Sequence, residues 1–112
     1  MKIEHEKNGE VYRLQVSGNL DTGTAEQAQN DLDEFLRQKP KKVLVDLAAL
    51  DYVASSGLRV FLVFAKNLSR EGSRCVYCGM NESVSKVFRV SGISRILKVK
   101  ETVAEGVDEL NA

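Results

Sequence analysis

The first seventeen residues alternate between apolar and polar side chains, apart from a polar dipeptide in the middle. The ranges 2–7 and 11–17 each follow the period of two that is typical of a strand with one buried face. Asn8-Gly9 lies between them, and this dipeptide favours a two-residue hairpin turn. The pattern predicts an antiparallel strand pair with one polar face.

A helical pattern follows between Thr24 and Arg37. Its apolar residues recur every three or four positions, at Ala25, Ala28, Leu32, Phe35 and Leu36. Thr24 and Gln27 have the spacing of a capping box, in which the glutamine side chain reaches back to the cap residue. Pro40, the only proline, marks the break after this helix.

Beyond Pro40, short apolar runs alternate with helical patterns. The predicted strands are Val43–Val45, 74–78 and 96–99. The predicted helices run from Ser55 or Ser56 to Arg70, from Asn81 to Gly92, and over 103–110, the last weakened by Gly106. Residues 46–53 are predicted to be a connecting segment.

The order of these elements predicts the fold class. Val43–Val45 is apolar without alternation, as in strands that are covered on both faces. A strand–helix order repeated three times predicts right-handed crossovers onto one sheet. We therefore expect an α/β sandwich with about four helices and a mixed, mostly parallel sheet of four to five strands, preceded by an antiparallel hairpin.

Composition narrows the possible functions. The 112 residues fit one domain, 1–112, with no room for a second. Sixteen basic residues balance sixteen acidic ones, and this neutrality argues against a nucleic-acid binder. No apolar run is long enough to span a membrane, and the N-terminus lacks a secretory signal. We expect a cytoplasmic protein whose two cysteines are reduced.

The candidate chemistry lies in the loop that follows the predicted strand at 43–45. It reads Asp51-Tyr52-Val53-Ala54-Ser55-Ser56-Gly57-Leu58, so that two serines and a glycine open the next helix. In parallel sheets, sites gather just past the carboxyl ends of strands. A helix start favours an anion and would tolerate a phosphate on a serine. Simple N-capping by the serines is the alternative, and spacing alone favours it.

Two motifs in this order resemble those of the STAS domain family, which includes the bacterial anti-sigma factor antagonists. Val45-Asp46-Leu47 followed by 51–58 resembles a strand ending in Val-Asp-Leu, a connector, and Asp-Ser-Ser/Ala-Gly-Leu at a helix start. Gly18-Asn19-Leu20-Asp21 resembles the family motif Gly-x-Leu-Asp, and 84–97 resembles a family helix with its stop. The resemblance covers essentially the whole chain and implies a STAS-like sandwich.

The resemblance also implies roles for individual residues. The family's phosphorylated serine stands two positions before the glycine, which is Ser55 here, and Ser56 is the second hydroxyl position. Asp21 matches the motif aspartate that the family fold brings close to this loop; a loop or cap residue before the first helix is its alternative role. Ala54 stands where phosphorylatable members commonly have aspartate. A site for phosphate and partner is thus expected at Asp21, Ala54, Ser56, Gly57 and Leu58.

By the same resemblance, the protein would be an anti-sigma factor antagonist with neither enzymatic activity nor a cofactor. Its unphosphorylated form would bind an anti-sigma factor with serine-kinase activity and free a sigma factor. Phosphorylation of Ser55 would end the interaction, and a metal-dependent serine phosphatase would reverse it. The alternative, which Ala54 favours, is a STAS interaction module without phosphorylation, in a signalling scaffold or a transport complex.

The second predicted helix has more apolar residues than one core face requires. Val60, Val63 and Phe64 stand outside the stripe formed by Leu58, Phe61, Leu62, Ala65 and Leu68. Such residues either present a docking patch or are buried by the third helix.

Two further motifs are weaker indications of chemistry. Cys75 and Cys78 have C-x-x-C spacing, but a strand would point them to opposite faces, which favours core packing over redox or zinc chemistry. The serine loop lacks the first glycine of a nucleophile elbow, and His5 is the only histidine available as a base. An enzyme is therefore disfavoured.

Overall fold

The computed structural model describes all residues from 1 to 112. Its strands are β1 (Lys2–Asn8), β2 (Val11–Leu20), β3 (Lys42–Asp46), β4 (Leu50–Val53), β5 (Arg74–Cys78) and β6 (Val99–Lys100). Its helices are α1 (Ala25–Leu36), α2 (Ser55–Arg70), α3 (Glu82–Val90) and α4 (Val103–Asn111), and a 3₁₀ turn spans Ile93–Arg95.

The six strands form one mixed sheet in the order β1-β2-β3-β5-β6, with β4 paired to the far end of β2. Only β1 and β2 are antiparallel, and Ile3 lies opposite Val16 in their register. The α/β fold, the N-terminal hairpin and the four helices are confirmed. The strand count is six rather than four to five.

The additional strand is β4, which lies in the segment predicted to be a connector. Its ends, Leu50 and Val53, are buried, whereas Asp51 and Tyr52 between them are exposed. Because β2 is ten residues long, its first half pairs with β3 and its last three residues, from Gly18 to Leu20, pair with β4, with a register shift between Gly18 and Asn19. Four residues are too few for alternation to identify a strand in the sequence.

Alternate residues of the central strands face two separate apolar clusters. The larger has 21 buried residues and joins the sheet to α1, α2 and α3. The smaller, which includes Leu44, Val76 and Leu110, lies under α4 on the other face. Cys75 packs against the larger cluster and Cys78 belongs to the smaller one, so the prediction that they face opposite sides is confirmed.

The start of α1 differs from the prediction. The Thr24 side chain does not cap α1; its Oγ1 accepts from the Asp21 N–H at 3.0 Å and donates to the Asn19 carbonyl at 2.9 Å. The predicted capping box is therefore wrong, because the hydroxyl is used in the tight turn that connects β2 to α1. The helix itself begins and ends within one residue of the predicted limits.

The structure also differs from the sequence prediction in two later segments. Ile93–Arg95 forms a 3₁₀ turn, and β6 is confined to two residues, where 96–99 was predicted to be a strand. Gly106 was expected to weaken α4, but it lies where an added Cβ would overlap the side chain of Leu44. It is a close-packing residue that allows α4 to approach the sheet.

The third helix is anchored to β4 through its first residue. Asn81 caps α3, as predicted: its Oδ1 accepts from the Val84 N–H at 2.8 Å. Its Nδ2 donates to the Leu50 carbonyl at 3.1 Å.

Among all the helices, none combines the length and apolar character needed to cross a membrane.

Candidate functional site

The predicted site loop connects β4 to α2 and lies against the end of β2. Leu20 is the register partner of Val53, and the Ala54 N–H donates to the Leu20 carbonyl at 2.9 Å. Asp21 follows Leu20 directly, so the two motifs seen in the sequence meet at this edge of the sheet. This is the C-terminal edge of the parallel strands, where sites in such sheets are expected.

Gly57 allows this contact to be close. A Cβ at residue 57 would lie 2.7 Å from Leu20 Cγ and 2.9 Å from both the Leu20 carbonyl oxygen and Val53 Cγ2. Real side-chain atoms cannot approach backbone so closely without displacing it. Gly57 therefore contributes to the site by packing the first turn of α2 onto β2 and β4.

The two serines have different environments. Ser55 is the first residue of α2 and its side chain is exposed, whereas the Oγ of Ser56 is buried and has no hydrogen-bond partner. Neither serine caps the helix. The N-cap is Ala54, which has an extended backbone (φ −98°, ψ 174°) and no capping side chain. The N-capping interpretation of the serines is therefore wrong.

Asp21 uses its carboxylate within the turn before α1. Its Oδ1 accepts from the Gly23 N–H at 2.9 Å and lies 3.4 Å from the Thr24 hydroxyl oxygen. The side chain is half-buried, and its main-chain neighbour Leu20 holds the serine loop. Asp21 therefore has the role of a turn residue before α1. It lies beside the serine loop because Leu20, the residue before it, accepts a hydrogen bond from the Ala54 N–H.

A shallow groove of about 370 Å³ opens beside Ser55, between α2 and the 3₁₀ turn. It is lined by Ser55, Leu58, Arg59, Leu62, Ser91, Gly92, Ile93 and Ile96. Ile96 is 68% exposed, an unusual value for a large apolar side chain, and Arg59 is the only charged residue of the lining. An apolar floor beside an exposed hydroxyl is a surface that can bind a protein partner.

The expected docking patch on α2 is wrong for two of its three residues. Val60 is 5% exposed and Phe64 is 1% exposed, because both belong to the larger core cluster. The Phe64 ring lies 6.2 Å from that of Phe35, so α1 contributes to its burial. Val63 is half-buried. The apolar residue that α2 presents beside Ser55 is the half-buried Leu62 instead, whereas Leu58 lines the groove but is 6% exposed and belongs to the core cluster.

Two exposed apolar residues were not predicted from the sequence, and one of them, Ile96, lines this groove. Ile96 was assigned to a strand, which implied burial, and Tyr52, 50% exposed on β4, was assigned to a connector. The polar neighbours of Ile96, namely Ser94, Arg95 and Lys98, are the one signal in the sequence that could have indicated an exposed turn.

Asp46, from the Val-Asp-Leu motif, has a structural environment. It is 3% exposed, and its Oδ2 accepts from Arg13 Nη2 at 2.6 Å and from Arg13 Nε at 3.1 Å. The other oxygen accepts from the Ala48 N–H at 3.0 Å. The hydrogen bond to Asp46 raises the pKa of the Arg13 guanidinium above its usual value. The ion pair connects β2 to β3, and we assign it a structural role.

The cysteines are poor nucleophiles in this structure. Burial raises the pKa of the Cys75 thiol to about 12 and that of the Cys78 thiol to about 11. Both therefore stay protonated near neutral pH, whereas thiol chemistry needs the thiolate. No three His, Cys, Asp or Glu side chains converge on a point that could hold a metal ion.

Comparison with known sequences identifies similar proteins. A sequence model of the STAS domain matches residues 2–106. BtrV of Bordetella bronchiseptica, described as a candidate anti-sigma factor antagonist, is 32% identical over 99 residues, which cover 88% of this chain and 85% of BtrV. The anti-sigma F factor antagonist of Paenibacillus polymyxa is 27% identical, with 98% of this chain and 95% of that protein covered.

Solved structures share the fold. A candidate anti-sigma factor antagonist of Thermotoga maritima has a TM-score of 0.89 at 23% identity, covering 98% of this chain and 95% of that one. The anti-sigma factor antagonist SpoIIAA in its unphosphorylated form has a TM-score of 0.78 at 21% identity, covering 98% and 96%. Bacillus SpoIIAA in the phosphorylated form has a TM-score of 0.69 at 21% identity, covering 96% and 98%.

Proposed function

Because this chain belongs to the STAS domain family, we propose that it is an anti-sigma factor antagonist that acts by binding rather than by catalysis. The similarity to BtrV and to the Paenibacillus anti-sigma F factor antagonist extends over nearly the whole length of each protein. The apolar groove beside the serine loop supplies a binding surface, and the buried, protonated thiols supply no nucleophile. The partner in this proposal is an anti-sigma factor with serine-kinase activity, whose capture frees a sigma factor.

Ser55 is the proposed phosphoacceptor, and the contrast between the two serines is the observation that carries the proposal. A kinase needs an accessible hydroxyl; Ser55 is exposed, whereas the Ser56 oxygen is buried. The position also suits a phosphate, because the N–H groups of Ser55 and Ser56 donate no backbone hydrogen bond and the helix dipole favours negative charge there. SpoIIAA, which has the same fold, exists in both unphosphorylated and phosphorylated forms.

Phosphorylation would end the interaction by electrostatics and desolvation. It places about two negative charges beside the groove formed by Leu58, Leu62, Ile93 and Ile96. Docking of a partner onto that apolar floor would then require the phosphate to lose water, which is costly. A metal-dependent serine phosphatase would restore the binding form. Because the proposed partners act on transcription, we place the protein in the bacterial cytoplasm.

The direct test is phosphorylation by the cognate kinase with Mg-ATP, followed by mapping of the phosphate by mass spectrometry. We expect one phosphate on Ser55, full labelling of Ser56→Ala, and no labelling of Ser55→Ala. Binding of the kinase to the two forms is then compared by calorimetry, and the phosphorylated form should bind at least tenfold more weakly. A phosphate on another residue, or none with a kinase that labels its own known substrate, contradicts the proposal.

The alternative is a STAS interaction module that is not regulated by phosphorylation, and Ala54 is the observation that favours it. Without a carboxylate at residue 54, the acceptor lacks the acidic neighbour that phosphorylatable members commonly have. The two functions differ in one measurement. Equal partner affinities for Ser55→Ala and Ser55→Asp would support the alternative, whereas a marked loss for Ser55→Asp supports the regulated antagonist.

A further inference from the structure

The groove beside Ser55 has a single charged side chain, Arg59. The other seven lining residues are neutral, and the two residues adjacent to Ser55 in the chain, Ala54 and Ser56, carry no charge. Arg59 is exposed and forms neither an ion pair nor a side-chain hydrogen bond. The groove rim, meaning the side chains that line the groove, therefore carries one positive charge in the unphosphorylated protein, and no carboxylate of the protein pairs with it.

Ser55 and Arg59 are four residues apart on the same helix. Side chains with this spacing lie one above the other, with about 5–6 Å between their Cβ atoms. The favourable order places the acidic group nearer the helix N-terminus, and a phosphate on Ser55 would have this order. An arginine can also give a phosphate two parallel hydrogen bonds.

Taking the proposed phosphorylation of Ser55 as its basis, we infer that Arg59 forms an ion pair with phosphoserine 55 and that this pair reverses the charge of the groove rim. Before phosphorylation the rim carries one positive charge, which attracts an acidic group of the partner. Afterwards the phosphate, with about two negative charges, holds Arg59 and leaves the rim net negative. The pair also keeps the phosphate against α2, at the mouth of the groove.

The alanine at residue 54 has a physical consequence for the charge of the groove rim. A carboxylate at that position would make the net charge of the rim zero before phosphorylation, and the phosphate would then change it from zero to about minus two without a change of sign. With Ala54, the rim changes sign when a single phosphate is added. Because Arg59 is present and residue 54 is alanine rather than aspartate, the sign of the charge at the groove rim depends on phosphorylation.

The test uses full-length protein with phosphoserine incorporated at residue 55 during translation, so that no kinase is needed. A ³¹P NMR titration gives the second pKa of the phosphate. We expect Arg59→Gln to raise that pKa by a few tenths of a pH unit, because a nearby cation favours the dianion. Arg59→Lys should keep most of the effect. Arg95→Gln removes another exposed and unpaired arginine, which is in the 3₁₀ turn but does not line the groove, and it should leave the pKa unchanged.

The outcomes separate this inference from the proposed function. An unchanged pKa in Arg59→Gln, or an equal shift in Arg95→Gln, overturns the ion pair whatever the kinase does. A shift specific to Arg59, together with a failure of the kinase to label Ser55, supports the ion pair and removes the proposed function. Amide NMR spectra of the variants check that each is folded.

Discussion

The backbone N–H of Ala54 donates a hydrogen bond to the carbonyl oxygen of Leu20, 2.9 Å away. This bond joins the N-cap of α2 to the end of β2, two positions that are 34 residues apart in the numbering. It fixes the backbone of residue 54 while the side chain makes no capping bond. The serine loop is thus held by a main-chain hydrogen bond, and this bond does not depend on the side chain at residue 54.

The first prediction follows from that uncapped helix. Ala54→Asp places a good capping side chain on an extended backbone at the N-cap, so the free energy of unfolding should rise by about 1 kcal/mol. Urea unfolding at pH 7 measures the change. Ala54→Val, which cannot cap, is the control and should not stabilise. A loss of stability in the aspartate variant would show that residue 54 does not have N-cap geometry.

The buried hydroxyl of Ser56 leads to the second prediction. Its Oγ has no hydrogen-bond partner, so folding removes it from water without compensation. Ser56→Ala should therefore be neutral or stabilise the protein by up to about 1 kcal/mol. Ser55→Ala, at the exposed neighbouring position, should change stability by less than about 0.5 kcal/mol. A clear destabilisation by Ser56→Ala in thermal melts would reveal a hydrogen bond of this hydroxyl in solution.

Gly57 gives the third prediction. Alanine at this position gains about 1 kcal/mol of helix propensity, but its Cβ would meet Leu20 and Val53 at less than 3.0 Å. We expect a net destabilisation of about 1–3 kcal/mol, measured by urea unfolding. Ser69→Ala, exposed on the same helix, is the control and should be nearly neutral. Unchanged or higher stability of Gly57→Ala would show that α2 can move away from β2 at little cost.

The fourth prediction concerns pH. Burial raises the pKa of the Cys78 thiol from 9.0 to about 11, so above pH 9 the unfolded chain loses this proton while the folded protein keeps it. The stabilising contribution is complete below pH 9 and is lost as the pH rises towards 11. Urea unfolding between pH 7 and 10.5 should show a steeper fall for the natural protein than for Cys78→Ala. Parallel curves for the two proteins would contradict the shifted pKa.

The fifth prediction tests the groove as the partner surface. Ile96→Ser should weaken binding of the anti-sigma factor about tenfold or more, because the side chain is 68% exposed and lines the groove. Val90→Ser is the matched control: Val90 is 78% exposed but does not line the groove. Calorimetric titration compares the two. Equal losses for both variants, or a loss only for Val90→Ser, would place the interface elsewhere.

Local signals in the sequence account for most of the fold. The hairpin between β1 and β2, the break at Pro40 and the cap at Asn81 are present where the pattern predicted them, although the two loop residues of the hairpin are Gly9 and Glu10 rather than Asn8 and Gly9. These features depend on residues within one turn or one hairpin, so their physical cause lies in the neighbouring sequence. The predictions that were wrong concern features that depend on contacts between different elements. β4 forms because β2 is long enough to pair with a second strand, and the hydroxyl of Thr24 is used by a turn that belongs to two elements.

By itself, the sequence determined the α/β order, the family resemblance and the position of the serine loop at the start of a helix. Periodicity and motif spacing are local properties, and they carry that information. Only the tertiary structure decided which hydroxyl is accessible, since Ser55 and Ser56 are adjacent and chemically identical. It also decided that Val60 and Phe64 are core residues while Ile96 is exposed. Burial depends on which elements pack around a side chain, and that packing is a property of the whole fold.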